Sequence, residues 1–525
     1  MLAVVPSATL HGLEGRLIRV EVDVAPGLPG FTIVGLADTA LQEARERVRG
    51  AVRNAGYTYP PRRITINLAP ADLRKGGASL DLAMAVGVLM GSEQVRPRAG
   101  VTALIGELSL SGEVRTVPGI LPMVAALVRR GVTRIVVAGD AVDEARLAGA
   151  RDIVGVHSLA EAAAVLAARR PRRPATDLPR VTIEAGSADE RHRSLAPAVQ
   201  IAPAVVPDLA EVRGQAEARR ALEIALAGGH GLLLVGPPGV GKTLLARTIP
   251  GLLPPLDDAA ALGATIVASA AGEGPLHDLR RTPPFRTPHH TSSYAAMVGG
   301  GPDLTPGEIT RADHGVLFLD ELAEFDRDVL ESLRQPLEEG RVTIARARRV
   351  VTFPARFQLV AAMNPCPCGF AGTAPEGRCR CTSLLVQRYE RKVSGPLRDR
   401  LDLWVHMPRA GAAHLVEGSE PEASRVVAAR IAACRTVAMD RQGVLNARLH
   451  GRALRAACGL APAGRRWLVD LADAEGSSGR GTERLLRVAR TIADLTASRT
   501  VGMDHLDEAA WFRSQGERVM GALAS

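Results

Sequence analysis

The segment Gly231 to Thr243 reads GLLLVGPPGVGKT, and it restricts the fold of this chain more than any other. Leu232 to Val235 is a short apolar run, the pattern of a strand buried on both faces. Gly236, Pro237, Pro238, Gly239, Val240, Gly241, Lys242 and Thr243 follow as G-x-x-x-x-G-K-T, and LLARTI continues at helical spacing. Strand, loop and helix in that order form the setting in which this pattern wraps phosphate. The glycines let backbone N–H groups curl around phosphate oxygens, and the helix N-terminus adds a favourable dipole. Lys242 is expected at the β- and γ-phosphates and Thr243 on Mg²⁺. ATP and Mg²⁺ are therefore the expected cofactors. A unit of this kind belongs to a parallel sheet covered by helices.

Gly315-Val-Leu-Phe-Leu-Asp320-Glu321 supplies the matching second motif. A buried strand there delivers two carboxylates at its C-terminal end, where ligands bind in α/β sheets. Asp320 is expected in the Mg²⁺ shell, and Glu321 is expected to polarise the attacking water. A third strand, FQLVAAMNP, ends in Asn364, whose amide can orient that water. A turn-forming Asn before Pro365 is the alternative.

Composition sets the limits. The 525 residues suggest about three or four domains. With 46% hydrophobic and 23% charged residues, the chain is ordinary for a globular protein. No apolar run approaches the roughly 20 residues needed to cross a bilayer. The N-terminal MLAVVPSATLHGLEGRL lacks a basic leader, so a cytoplasmic location and no membrane partner are expected. Only three of the 65 basic residues are lysines: Lys75, Lys242 and Lys392. The net charge of +9 permits an anionic partner such as DNA. The 3 Trp, 4 Tyr and 8 Phe are too few for a binding mode built on many stacked bases.

Along the chain, residues 1–168 alternate strand and helix patterns and read as one α/β domain. RLIRVEVDV, RRITINLAP, TALIGELSLSG and TRIVVAG read as strands. ADTALQEARERVRGAVRNAG, ASLDLAMAVGVLMG and PGILPMVAALVRRG read as helices. Residues 169–205 are Arg- and Pro-rich at first and weakly periodic throughout, as a linker would be. A second α/β domain spans 206–409, and mainly helical patterns fill 410–525. GRVTIARARRVVTFPAR reads as a β-hairpin turning around Ala345 to Arg348.

Four of the six cysteines are clustered as Cys366-x-Cys368 and Cys379-x-Cys381. In a reducing compartment they are not expected to form disulfides. Four thiolates suit tetrahedral Zn²⁺ and would staple the turn-rich loop 365–382. Free thiols are the alternative. Cys434 and Cys458 lie in helical patterns and read as core residues.

Taken together these motifs resemble AAA+ ATPases, and one branch of them in detail. RTPPFRTPHHTSSYAAMVGGG, GEITRADHGVLFLDEL, LEEGRVTIARARRVVTFPARFQLVAAMNPCPCG and SGPLRDRLDL are similar to the magnesium-chelatase-like ATPases of the ComM/YifB family. The resemblance covers essentially the whole chain. It implies a central AAA+ core, a C-terminal helical lid and a homo-hexameric ring that drives DNA branch migration. It also implies an arginine finger reaching a neighbour's nucleotide, at Arg400 in D-R-L-D, with Arg398 as competitor. A second sensor is implied at the start of a lid helix, at Arg480, with Arg484 as alternative. The hairpin is implied to face a central pore, where Arg346, Arg348 and Arg349 would touch DNA phosphates. A solvated edge hairpin is the other reading.

LRKGGASLDLAMAVG resembles the segment of Lon-type proteases that carries the nucleophilic serine, which places Ser79 at that position. The resemblance implies a Lon-protease-like α/β domain. Its base position falls near Met123, and no lysine occurs in residues 76–241. A thioether cannot deprotonate serine, so the domain is expected to lack peptidase activity, with Ser79 as a cap or turn residue. The functional expectation is an ATP-driven DNA motor or helicase acting in homologous recombination or natural transformation. A chelatase-like ATPase that remodels a protein partner is the alternative.

Overall fold

The computed structural model describes residues 1–35, 39–70, 78–97, 100–167, 206–301, 304–346, 349–372, 378–409, 421–475 and 479–521. The linker expected over 169–205, Lys75 and Arg348 lie outside them. The chain divides into two compact units. The first takes in Met1–Pro203, Thr265–Leu279 and Gly301–Thr305, and the second takes in the rest.

The first unit is α/β. Strands β1 (Leu2–His11), β2 (Glu14–Ala25), β3 (Gly30–Val34) and β4 (Arg63–Ala69) form a sheet in the order β1-β2-β4-β3. In β2, Ile18, Val20, Val22 and Val24 are buried, alternating with Arg19, Glu21 and Asp23, as a strand with one buried face requires. The helix Asp81–Gly91 is buried along almost its whole length. A Cβ at Gly87 would stand 2.5 Å from the Val22 side chain and one at Gly91 2.9 Å from Val24. Glycine therefore sets how closely this helix lies on β2. Arg47 clamps the fully buried Asp81 through two hydrogen bonds of 2.6 and 3.2 Å. Burial pushes Asp81 up to about 6, although Arg47 pulls the other way.

Strands β5 (Thr102–Leu104), β6 (Arg134–Ala138) and β7 (Asp152–Val156) form a second, parallel sheet. The single strand expected over TALIGELSLSG is broken in two, Thr102–Leu104 and Glu107–Leu108. The backbone N–H of Gly106 leaves the strand to bond Ser79, and its carbonyl accepts from Leu82. Ser79 sits in a 3₁₀ turn ahead of the buried helix, and its hydroxyl donates to the Ala8 carbonyl at 3.2 Å rather than capping the helix. β1 carries alternating burial as well, a strand the sequence patterns above did not single out.

The second unit is built on five parallel strands. They are β8 (Leu232–Val235), β9 (Phe285–Arg286), β10 (Val316–Leu319), β13 (Gln358–Met363) and β14 (Leu403–His406). Their order is β9-β10-β13-β8-β14. Both faces are buried. Leu232, Leu234, Phe318, Val360 and Val405 pack with the helix Ala216–Gly228 and the C-terminal helices. Leu233, Val235, Leu317, Leu319 and Ala361 pack on the other side with Met297, Ile309 and Leu330. The helices Ser424–Gln442, Gly451–Cys458, Pro462–Glu475, Gly479–Leu495 and Met503–Gly521 complete this unit. Arg490, wholly buried, bonds the carbonyls of Ala457, Ser498 and Arg499 and the carboxylate of Asp494, and so ties three chain segments together. Outside the sheet, β11 (Arg341–Arg346) and β12 (Arg349–Pro354) pair antiparallel from Arg341 opposite Pro354 to Arg346 opposite Arg349. Among the described residues no helix is long and apolar enough to cross a membrane.

Candidate nucleotide site and metal centre

The sheet register assembles the site. Val235 pairs with Met363 in the neighbouring strand, so Gly236 and Asn364 leave the sheet side by side. Leu319 pairs with Ala361, which brings Asp320 and Glu321 to the same C-terminal edge. A Cβ at Gly236 would stand 2.4 Å from the Met407 carbonyl, so glycine lets the loop leave close to β14. Gly239 and Gly241 have φ of +80° and +94°, and an added Cβ on either would meet nothing within 4 Å. These two glycines serve backbone shape, in a left-handed region that other residues rarely adopt.

Lys242 donates to the carbonyls of Gly236 and Pro237, at 2.6 and 2.9 Å, and to the Asn364 amide oxygen at 3.1 Å. Burial lowers its pKa to about 8, against the pull of Asp320 and Glu321. The Thr243 hydroxyl donates to Asp320 at 2.6 Å, and the other Asp320 oxygen accepts the Glu321 N–H at 3.0 Å. A hydroxyl and a carboxylate held together beside a glycine-rich loop are the kind of donor set that takes Mg²⁺ with a nucleotide. Glu321 itself adopts left-handed backbone angles of 54° and 46°. Its carboxylate lies half exposed, 3.2 Å from Nδ1 of His290.

A cleft of about 330 Å³ opens here, lined by Thr243, Arg247, Thr287, His289, His290, Asp320 and Glu321. Thr287, His289 and His290 belong to the RTPHHT segment, to which the sequence reading gave no role. The available signal was two adjacent histidines just past a strand that pairs with the one carrying Asp320.

The candidate arginines lie elsewhere. Gly231 packs on the backbone of Arg400 and Leu401, where a Cβ would stand 2.5 Å from the Arg400 carbonyl. Gly231 precedes β8 and the phosphate loop follows it, so strand rise alone separates them by about 16 Å. Arg400 thus sits at the sheet edge opposite its own phosphate loop, where it pairs with Glu338. Arg484 joins it there, bonding the Leu401 carbonyl and Asp399, each at 3.2 Å. Burial, then Arg480, Arg334, Arg484 and Arg487, push the Arg400 guanidinium below its ordinary value. Arg398 differs: it donates to the carbonyls of Val393 and Glu390 and holds its own loop. Of the hairpin arginines, Arg348 lies outside the described residues. Arg346 and Arg349 are described only as backbone in β11 and β12.

Cys366, Cys368, Cys379 and Cys381 converge, with their sulfurs all within 4.8 Å of one another. The separations are 3.3 Å for 366–368, 3.8 Å for 366–379 and 3.5 Å for 368–379. Zn–S bonds of about 2.3 Å in a tetrahedron imply sulfur–sulfur edges of about 3.8 Å, whereas a disulfide needs about 2.05 Å. None of the four is joined in a disulfide. The Ala371 N–H points at the Cys366 sulfur, 3.3 Å away. Although burial raises it, backbone N–H groups of Arg380 and Phe370 draw Cys368 down to about 6. The cluster has the composition and spacing of a group that could hold a metal ion.

Residues 208–415 match the family described as magnesium chelatase, subunit ChlI. Residues 20–141 match subunit ChlI of Mg-chelatase, and residues 421–513 match its C-terminal family. The chain is 41% identical over 516 residues to the uncharacterized protein YifB of Escherichia coli, covering 98% of this chain and 97% of that one. It is 38% identical over 517 residues to the competence protein ComM of Haemophilus influenzae, with the same coverage. A magnesium-chelatase subunit ChlI of Olisthodiscus luteus is 26% identical over 183 residues, 32% of this chain and 52% of that one. A phosphate loop, a paired acidic motif and flanking domains that all match in order give the sheet edge its context: the chain belongs to the ComM/YifB family of magnesium-chelatase-like AAA+ proteins.

Proposed function

We propose that the chain is a Mg²⁺-dependent ATP hydrolase that works as a homo-hexameric DNA motor, promoting branch migration in homologous recombination or natural transformation. One observation carries the hydrolytic part: Lys242, the Thr243–Asp320 pair, Glu321 and Asn364 meet at one sheet edge beside a glycine-rich loop. The loop amides and Lys242 bind the β- and γ-phosphates. Thr243 and Asp320 would hold Mg²⁺, which neutralises charge on the phosphates when bound. Asn364 orients a water, and Glu321 accepts its proton as the water attacks the γ-phosphorus. ADP then leaves with the electron pair of the broken P–O bond.

The position of Arg400 supports a ring. It lies too far from its own phosphate loop to reach that γ-phosphate, so it serves the nucleotide of an adjacent subunit. Arg480, with Arg484 beside it, acts at the same junction. The relative named competence protein ComM supports the DNA role. The hairpin β11–β12 carries Arg346, Arg348 and Arg349 toward DNA phosphates. The cysteine cluster binds structural Zn²⁺. The N-terminal domain, 1–168, is Lon-protease-like and without peptidase activity: the Ser79 hydroxyl is spent on the Ala8 carbonyl. The chelatase matches along the chain favour a second reading, an ATPase that remodels a protein partner.

The test is ATP turnover with and without forked DNA, and strand displacement on branched DNA at stated salt. DNA-stimulated turnover and displacement are expected. Glu321→Gln should bind ATP and turn over 10²- to 10⁴-fold more slowly, on the order of a lost general base. Turnover indifferent to DNA favours the protein-remodelling reading.

A further inference from the structure

We infer that the four-cysteine knuckle is a metal clamp on the nucleotide loop, so that its occupancy by Zn²⁺ sets the affinity for nucleotide. The inference rests on the two readings above, that the loop binds ATP and that the cysteines bind zinc.

The clamp starts next to the site. Cys366 is fully buried two residues after Asn364, and Asn364 accepts a hydrogen bond from Lys242. The chain then turns, with the Gly369 N–H bonded to the Cys366 carbonyl at 2.9 Å. Gly369 has φ +83°, and an added Cβ would stand 2.7 Å from Cδ of Pro238 and 3.9 Å from Cγ of Asn364. Pro238 belongs to the phosphate loop. The turn held by Cys366 and Cys368 therefore rests directly on that loop, at a separation a larger residue would not permit.

Among the described residues, this turn is held by the Phe370 ring, over which Arg378 and Arg409 stand at 4.3 and 5.7 Å, and by a small apolar cluster. The buried members of its apolar cluster are Cys366, Ala371 and Val386. Four ligands on one ion would tie Cys366 and Cys368 to Cys379 and Cys381, closing the excursion on itself. Soft thiolates select zinc over the Mg²⁺ used with the nucleotide. With the ion gone, the support behind Pro238 and Asn364 loosens, and Lys242 loses one of its three hydrogen-bond partners, the Asn364 amide oxygen. Binding then has to reorder the loop, which weakens it.

The full-length protein is assayed for zinc and for affinity toward a fluorescent ADP analogue. Both are measured before and after stripping with a chelator, with Mg²⁺ restored. About one zinc per chain is expected. Stripping should weaken nucleotide binding about tenfold, and added Zn²⁺ should restore it. Cys379→Ser should behave like the stripped protein. Gly369→Ala keeps all four thiols, so it should retain zinc yet bind nucleotide about tenfold more weakly. Thermal unfolding checks that each variant is folded. A zinc-replete protein that binds no nucleotide overturns the ATP reading, and a protein purified without zinc overturns the clamp at its metal. Zinc present, with affinity untouched by stripping and by Gly369→Ala, overturns the coupling alone.

Discussion

Nδ1 of His290 lies 3.2 Å from the Glu321 carboxylate because the sheet register carries both residues to the same height. Arg286 pairs with Leu317 across parallel strands, and each of the two side chains sits four residues further on. Arg286 is itself fixed by two hydrogen bonds to Glu308, at 2.7 and 2.8 Å. The His289 ring lies against His290, tilted by 32°, with ring centres 4.2 Å apart. His290 is therefore expected to position Glu321. His290→Ala should lower kcat about tenfold while the nucleotide dissociation constant stays the same, a loss confined to the transition state. His290→Asn keeps an N–H donor and should recover part of it. Steady-state kinetics beside direct nucleotide titration separate the two quantities. Equal loss in both would remove the positioning role.

Arg398 and Arg400 are two residues apart and do different work. Arg398→Ala leaves two carbonyls without their charged donor and should cost about 2 kcal/mol of stability, read by denaturant unfolding. Arg400→Ala should leave stability nearly unchanged and reduce turnover by about 10³-fold or more. Mixing Arg400→Ala subunits with Lys242→Ala subunits should restore some activity, since each supplies what its neighbour lacks. No recovery in mixed rings would count against the shared site.

Charge reversal of Arg346 and Arg348 should weaken DNA binding across all sequences and reduce its salt dependence by about one unit of slope per lost phosphate contact. Nucleotide affinity should not change, since β11 and β12 form a two-stranded sheet separate from the one carrying the site. Fluorescence anisotropy at several salt concentrations measures the slope. An unaltered slope would assign the hairpin to another task.

Asp81 makes the first unit sensitive to pH. Its folded pKa is raised to about 6 from an ordinary 3.8, chiefly by burial. Between those values the folded state holds the proton more tightly than the unfolded state. Stability contributed by protonated Asp81 is therefore lost as pH rises from about 4 to 6, by on the order of 3 kcal/mol. Asp81→Asn should lack that component. Unfolding of both proteins across this window gives the difference, and parallel curves would contradict it.

The sequence by itself determined the phosphate loop, the acidic pair and the strand that ends in Asn364. Each is a local pattern: a few apolar residues followed by groups whose chemistry needs that spacing. The α/β class and the C-terminal helices follow from the same local periodicity. The tertiary structure decided what depends on neighbours remote in the chain. Strand register brought His290 to Glu321, a pairing no local pattern encodes. Among so many arginines, only packing separates buried Arg490 and loop-bound Arg398 from Arg400, because one side chain serves equally as a clamp on carbonyls or as half of an ion pair. In sequence Gly369 is one glycine of a turn-rich loop, and only the fold sets it against Pro238. Residue type and spacing specify which chemistry a segment can perform, whereas long-range contacts choose which copies of that chemistry meet.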